Sequence, residues 1–304
     1  MIPIFPKFSK LKLNHRKDIL DLTSQYHPYS DFNFTSLWTY NTDDSIEVSL
    51  LHNNLVVRFC DYLTLKPFYS FIGTNFVKKT IHILITHAQK MQIEPYLKLI
   101  PDIVVQSCKE LSLDYDICED ADNHDYIVSV KDIVNLPSEK YRRKKHLVDC
   151  FKKKYSGYRV EFLNLQNKDK EVEIYNLFSL WEKRSCKNHK ETENELIAIK
   201  RLISSHKDLD VFVLGIYYQN KLIAFNIYEV SHKKMGISAF QKADKKYTGI
   251  YAALSHEAAK HLHILGCTHV NYEQDLGIEG LRLSKSLWKP VQYLKKYIIK
   301  PKTT

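Results

Sequence analysis

"LDVFVLGIYYQNKLIAFNIYEV", residues 209–230, is the stretch on which the reading of the fold turns. Two runs rich in β-branched and aromatic residues flank Gln219-Asn220, and that pattern predicts an antiparallel hairpin. "KMGISAFQKA" (234–243) adds a third strand. "TGIYAALSHEAAKHLHILG" (248–266) predicts a helix closed by Gly266 as its C-cap. "THVNYEQ" (268–274) returns as a strand and "VQYLKKYII" (291–299) is the last one. Upstream, "GYRVEFL" (157–163) predicts a strand, while "KEVEIYNLFSLWEKR" (170–184) and "ENELIAIKRLISSH" (193–206) predict two helices.

Strand, two helices, antiparallel meander, helix, strand is the layout of a GNAT-type acyltransferase, an analogy of fold that settles no chemistry. The first half follows a comparable pattern without sequence identity to the second. "SIEVSLLHNNLVVRFCDY" (45–62) reads as two strands around His52-Asn53-Asn54, with another near Phe68–Ile72. "FVKKTIHILITHAQKM" (76–91) has helical spacing at Val77, Ile81, Ile83/Leu84 and Ala88, and Pro101 opens a second helix, "PDIVVQSCKELSL". "DYDICED" and "DYIVSV" are short strands. The predicted class is therefore α/β (α+β), with two tandem GNAT-like domains, each a mixed, mostly antiparallel sheet flanked by helices. The predicted division is residues 1–134 and 135–304, the second domain opening with a basic helix over about 137–155.

That helix lies in "LPSEKYRRKKHLVDCFKKKY" (136–155). Pro137 suits a first turn. Tyr141, Val148, Phe151 and Tyr155 fall on one face, and the basic residues lie mostly on the others. Between 139 and 154 eight Lys/Arg stand against Glu139 and Asp149, a balance suited either to a phosphate backbone or to a solvated face. The whole chain of 304 residues has a formal net charge of +10, which biases it toward polyanions. No apolar run approaches the roughly 18–20 residues of a membrane span, and "MIPIFPKFSKLKLNHRK" is too interrupted by Pro and Lys for a signal peptide. Cys60, Cys108, Cys118, Cys150, Cys186 and Cys267 form no CxxC pair and show no zinc spacing, so reduced thiols in a cytoplasmic protein, and no metal, are expected. No cysteine has a recognisable paired base, which argues against a thiol nucleophile.

Several of these stretches resemble the phosphatidylglycerol lysyltransferase C-terminal domain family. "DYIVSVKDIVNLPSEKYRRKKHLVDCFKKKY" is similar to its short strand and basic helix, and "GISAFQKADKKYTGIYAALSHEAAKHL" to its central strand and following helix. "VNYEQDLGIEGLRLSKSLWKPVQYLKKY" resembles its closing signature, and "YSDFNFTSLWTYNTDD" its entry motif. The resemblance covers most of the chain. It implies a tandem GNAT-like fold and transfer of an amino acid from aminoacyl-tRNA to an acceptor, with tRNA as a partner, contact with anionic lipid at the periphery, and no cofactor. Arg142-Arg143-Lys144-Lys145-His146 departs from the later Arg-Asn pattern of many members.

Three groups of residues are candidates for chemistry. In residues 271–290, a continuing strand would put Asn271, Glu273 and Asp275 on one face. A helix over "IEGLRLSKSL" would align Glu279, Arg282 and Ser286, with Lys285 three residues beyond Arg282. The carboxylates would contact an acceptor or an α-amine, and Arg282 and Lys285 the ester or a phosphate. Alternatively, Glu273–Arg282 and Glu279–Lys285 are ion pairs that only lock a turn. The second group is the loop before helix 248–266, where GNAT enzymes hold the pyrophosphate of acetyl-CoA. Gly249 fits, but Tyr251 replaces a small residue and its ring would crowd a pyrophosphate. Gln241, Lys242, Gly249, Tyr251 and Asn271 are the expected substrate-binding residues. The third group comprises Arg142, Arg143, Lys144, Lys145, Lys152, Lys153 and Lys154, expected to hold tRNA. The leading expectation is an aminoacyl-tRNA-dependent aminoacyltransferase. An acyl-CoA N-acyltransferase and a polyanion-binding protein without turnover are the alternatives.

Overall fold

A computed structural model describes residues 1–61, 64, 66–184 and 189–302, with side chains from 192 onward in the last range. Cys186 lies outside the described residues. The chain forms two compact units, one of residues 1–125, 274–278 and 293–304 and the other of residues 126–273 and 279–292. The division thus falls at 125/126, where the sequence reading places it at 134/135, and the closing segment is shared between the units. The sequence reading misses this because pairing of the last strand is set by partners about 180 residues away, which local periodicity does not record.

The first unit holds a seven-stranded sheet in the order Ser9–Lys10, Glu47–Leu51, Asn54–Cys60, Pro67–Ile72, Leu97–Pro101, Lys296–Pro301, Tyr115–Glu119. Its pairs are antiparallel except Pro67–Ile72 with Leu97–Pro101. The predicted hairpin turn forms with His52 and Asn53 both at positive φ, the conformation a tight two-residue turn demands. Helix Val77–Lys90 buries Val77, Ile81, Leu84, Ile85 and Ala88 against Val56, Tyr69, Phe71 and Ile299. The helix expected from Pro101 is broken into Asp102–Gln106 and Leu111–Asp114. The last strand, Lys296–Pro301, runs between Leu97–Pro101 and Tyr115–Glu119, with register Tyr297 to Ile100 and Tyr297 to Glu119.

The second sheet, also seven-stranded, has the order Gln292–Leu294, Asp125–Ser129, His269–Asn271, Met235–Ala243, Lys221–Val230, Val211–Tyr218, Arg159–Phe162. The hairpin closes through Gln219 and Asn220, both at positive φ. Helices Lys168–Lys183, His189–Ser204 and Ile250–Ile264 form as expected, the last one followed by Gly266 at φ 77°. The basic helix spans Ser138–Lys154, capped by Pro137 and broken at Tyr141, whose φ of −123° is not helical. Tyr141, Val148 and Phe151 are buried, as the spacing predicts. One pair in this sheet, Met235–Ala243 with His269–Asn271, is parallel, and it lasts only from Met235/His269 to Ile237/Asn271. Beyond that the central strand runs on to Ala243 while its neighbour stops, and the sheet splits there.

Candidate functional site

The split is lined by polar groups. On the central strand, the Ser238 hydroxyl donates to Asn226 Oδ1 at 3.0 Å, and the Ser255 hydroxyl donates to Gln241 Oε1 at 3.4 Å from the following helix. Burial raises the Tyr272 phenol well above its ordinary value, against the pull of neighbouring Ser255. The Nε2 of Gln241 has no partner among the described residues. Asn271 ends the short strand, fully buried, and its Oδ1 accepts the backbone N–H of Glu273 at 2.7 Å. Gln241 and Asn271 are among the substrate-binding residues expected from sequence; Ser255 and Tyr272 lie in the same family-like stretches, but no spacing marks them as site residues.

Lys242 serves a different purpose. Successive strand residues face opposite sides, and Lys242 points toward helix Lys168–Lys183. There its buried ammonium pairs with Glu195 and lies 4.1 Å from the centre of the Trp181 ring. Tyr251 is packed beside Trp181, and burial raises its phenol. Both are tied to packing, as a buried Lys must be.

Gly249 sits at φ 81° at the start of helix Ile250–Ile264. A Cβ there would stand 2.2 Å from the Leu147 carbonyl oxygen and 3.2 Å from Phe151 Cβ. The neighbouring Thr248 N–H donates to the Tyr155 hydroxyl at 3.2 Å. The basic helix therefore packs against the start of this helix at Gly249.

The stretch 271–290 does not continue as a strand. Glu273, Leu276 and Gly277 have φ of 57°, 56° and 72°, so the chain turns repeatedly after Asn271. The expectation of one face shared by Asn271, Glu273 and Asp275 is corrected accordingly: the period of two holds only where φ stays extended. The segment also passes between units, with Asn271 and Glu273 in the second, Gln274–Ile278 in the first, and Glu279–Lys285 in the second again. Asp275 is fully buried and its Oδ1 accepts the Gly277 N–H at 2.8 Å, so it holds a turn. The predicted helix forms over Glu279–Ser286 and buries no residue; Glu279 and Arg282 are exposed, and Lys285 is half-buried 6.0 Å from the Tyr126 ring centre.

The first unit contains a buried charge cluster that the sequence did not suggest. Lys296 is wholly inaccessible, its Nζ 2.7 Å from Asp125 Oδ1 and 3.2 Å from Ser30 Oγ, and it also pairs with Asp31. The Ser30 N–H donates to Asp125 Oδ2 at 2.8 Å, and its hydroxyl lies 2.7 Å from Gln274 Oε1. Gln274 Nε2 donates to Asp31 Oδ1 at 3.2 Å. Burial pushes Asp31 up despite Lys296, while the two carboxylates outweigh burial at Lys296 and raise it. The entry motif and the closing signature are thus joined through Ser30, Asp31 and Gln274, some 240 residues apart, beyond the reach of any spacing argument.

The basic helix also corrects the reading of the thiols. Cys150 Sγ lies 3.4 Å from His146 Nε2, because residues four apart on a helix are neighbours. The described cysteines are unbridged. Among the described residues no cluster of His, Cys, Asp and Glu is placed to hold a metal, and no helix is long and apolar enough to cross a membrane.

The sequence matches the family described as phosphatidylglycerol lysyltransferase, C-terminal, over residues 24–300. The chain belongs to that family. Solved structures agree with the membership at the level of fold. A conserved protein of unknown function from Bacteroides thetaiotaomicron superposes with a TM-score of 0.84 at 23% identity, covering 99% of this chain and 100% of that one. L-PGS from Bacillus licheniformis gives 0.66 at 13%, covering 97% and 94%. The C-terminal domain of a putative lysylphosphatidylglycerol synthetase from Agrobacterium fabrum gives 0.65 at 12%, covering 94% and 90%. No curated protein matches the sequence. Like its neighbours, this family member has the tandem GNAT-like architecture: two mixed, mostly antiparallel sheets flanked by helices.

Proposed function

We propose that this protein is an aminoacyltransferase that moves an aminoacyl group from aminoacyl-tRNA to an amine or hydroxyl acceptor. The family name supports transfer to a lipid acceptor. The observation that carries the choice of donor is Gly249, because its Cα face packs on the Leu147 carbonyl and the adjacent N–H is already given to Tyr155. An acyl-CoA enzyme uses that helix terminus for pyrophosphate, and here the protein occupies it with its own backbone.

Aminoacyl-tRNA is an activated ester, so positioning and charge stabilisation carry most of the catalysis. The acceptor nitrogen or oxygen attacks the ester carbonyl, a new amide or ester bond forms, and the bond to the terminal ribose oxygen breaks. Glu273, held at the strand end by Asn271, takes the proton lost by the nucleophile and returns it to the ribose oxygen. Glu279 contacts the α-amine, while Arg282 and Lys285 offset charge on the ester or a phosphate. Gln241, with its free Nε2, orients the substrate carbonyl. Arg142, Arg143, Lys144, Lys145, Lys152, Lys153 and Lys154 hold the tRNA backbone, and a tRNA donor places the reaction in the cytoplasm. Nothing in this chemistry calls for a metal or an organic cofactor.

The test is incubation with radiolabelled aminoacyl-tRNAs and acyl-CoAs, with anionic lipid vesicles and small amines as acceptors. Ribonuclease-sensitive transfer is the expected result. Turnover with acetyl-CoA at micromolar affinity would replace this reading with the acyl-CoA one.

A further inference from the structure

A cavity of about 390 Å³ opens between the first turns of the basic helix and the segment Leu287–Lys289. Arg142, Arg143, Lys144 and Lys289 line it, and none of the four has a carboxylate partner among the described residues. Lys140 also lines it but is paired with Asp132 at 2.6 Å, and Glu139 is the single acid on the wall. The break at Tyr141 makes Arg142–Lys144 the first turn of the long helical run, where the helix dipole favours an anion. The break is itself fixed, since the Tyr141 hydroxyl donates to the Trp288 carbonyl at 2.9 Å. Lys144 lies over the Trp288 ring at 4.3 Å and is half-buried.

We propose that this cavity is a binding site for a phosphomonoester dianion, with Arg142, Arg143, Lys144 and Lys289 as its ligands. Soluble proteins do not ordinarily gather four unneutralised cations around one concavity, because their mutual repulsion costs stability. Four cations against one carboxylate leave an excess that a dianion offsets better than a diester monoanion does. The size suits a phosphate group with a small substituent and lies within the range of small-ligand pockets. Leu147 and Leu287 supply an apolar patch for that substituent. The proposal rests on the cavity, and it shares Arg142, Arg143 and Lys144 with the tRNA surface of the transferase reading.

Burial and the neighbouring Arg143 hold the Lys144 ammonium down to about 8. The other titratable or charged groups facing the cavity are Glu139, Lys140, Tyr141, Arg142 and Arg143 on its own helix and Lys289 opposite. A bound anion favours the charged amine, so binding near pH 8.5 should take up a proton.

The experiment is calorimetry of the whole protein with inorganic phosphate, glycerol 3-phosphate and dimethyl phosphate at pH 7 and pH 8.5, in buffers of different ionisation enthalpy. The two dianions should bind at least about tenfold more tightly than the diester, with proton uptake at pH 8.5. Lys144→Met keeps the apolar stem over Trp288 and should lose the proton uptake and about tenfold in affinity. Exposed Arg143→Gln serves as a second variant with little risk to folding. A 5′-phosphorylated RNA hairpin compared with its 5′-hydroxyl form separates the sources. A phosphate-dependent gain that Arg143→Gln abolishes assigns the site to an RNA terminus, and glycerol 3-phosphate binding without that gain assigns it to a small metabolite. Equal affinity for diester and monoester, absent binding, or affinity unchanged in both variants overturns the proposal.

Discussion

Lys296 and Asp125 form an ion pair 2.7 Å long with neither side chain accessible to solvent. The pair stands between the last strand of the first sheet and the end of the segment that closes the first unit. Asp31 shares the same ammonium. Lys296→Met would leave two carboxylates buried around an apolar side chain and should destabilise the first unit by about 3–5 kcal/mol. Chemical denaturation checks this. The double change Lys296→Met, Asp125→Asn should recover part of the loss, since it removes one of the stranded charges.

Gly249→Ala should destabilise the second unit by at least about 2 kcal/mol. A side chain at φ 81° is strained in itself, and the Leu147 carbonyl must also move. A thermal melt reads the cost. Retained stability together with tight acetyl-CoA binding would show that the basic helix lifts away easily, against the geometry found here.

Glu273→Gln and Asp275→Ala should part company. Glu273→Gln keeps the shape of the side chain and should abolish aminoacyl transfer while leaving the protein folded. Asp275→Ala should cost about 1 kcal/mol, because the Gly277 N–H loses its acceptor. Melts and transfer assays on the same preparations separate a chemical role from a structural one. Reversal of the two outcomes would move the proposed proton acceptor to Asp275.

Burial pushes the Glu257 carboxyl up, but neighbouring His256 and the hydrogen-bonded Lys260 ammonium pull it down more strongly, to about 2. Its folded value is below its ordinary value near 4.5. The unfolded chain therefore binds the proton first as pH falls, and stability rises with pH across this interval. The contribution is fully present above about 4.5 and is lost progressively toward pH 2. Denaturation midpoints of the native protein and Glu257→Gln should converge over that window; a constant difference down to pH 2 would contradict the assignment.

Neutralising Lys152, Lys153 and Lys154 together should flatten the salt dependence of RNA binding. Each lost duplex phosphate contact removes about 0.9 from the slope of log affinity against log salt. Filter binding across salt concentrations measures it. An unchanged slope would place the RNA surface elsewhere on the protein.

Local order in this chain was written in the sequence. The Gln219-Asn220 hairpin, helix Ile250–Ile264 with Gly266 behind it, and the buried stripe Tyr141, Val148, Phe151 all follow from side-chain period and turn chemistry, which act over a few residues. The tandem GNAT-like layout follows from the order of those elements, and the family from the motifs they carry. Tertiary structure decided what depends on distant partners. It ended the strand at Asn271, turned the chain through positive φ at Glu273, and buried Asp275 in a turn, so that one continuous motif came to serve two units. It laid the Leu147 carbonyl over Gly249, and it gathered Ser30, Asp31, Asp125, Gln274 and Lys296 around one ammonium. A buried charge is tolerable only beside its partners, and those partners lie as far apart as residues 30 and 296, a separation over which sequence pattern carries no record of contact.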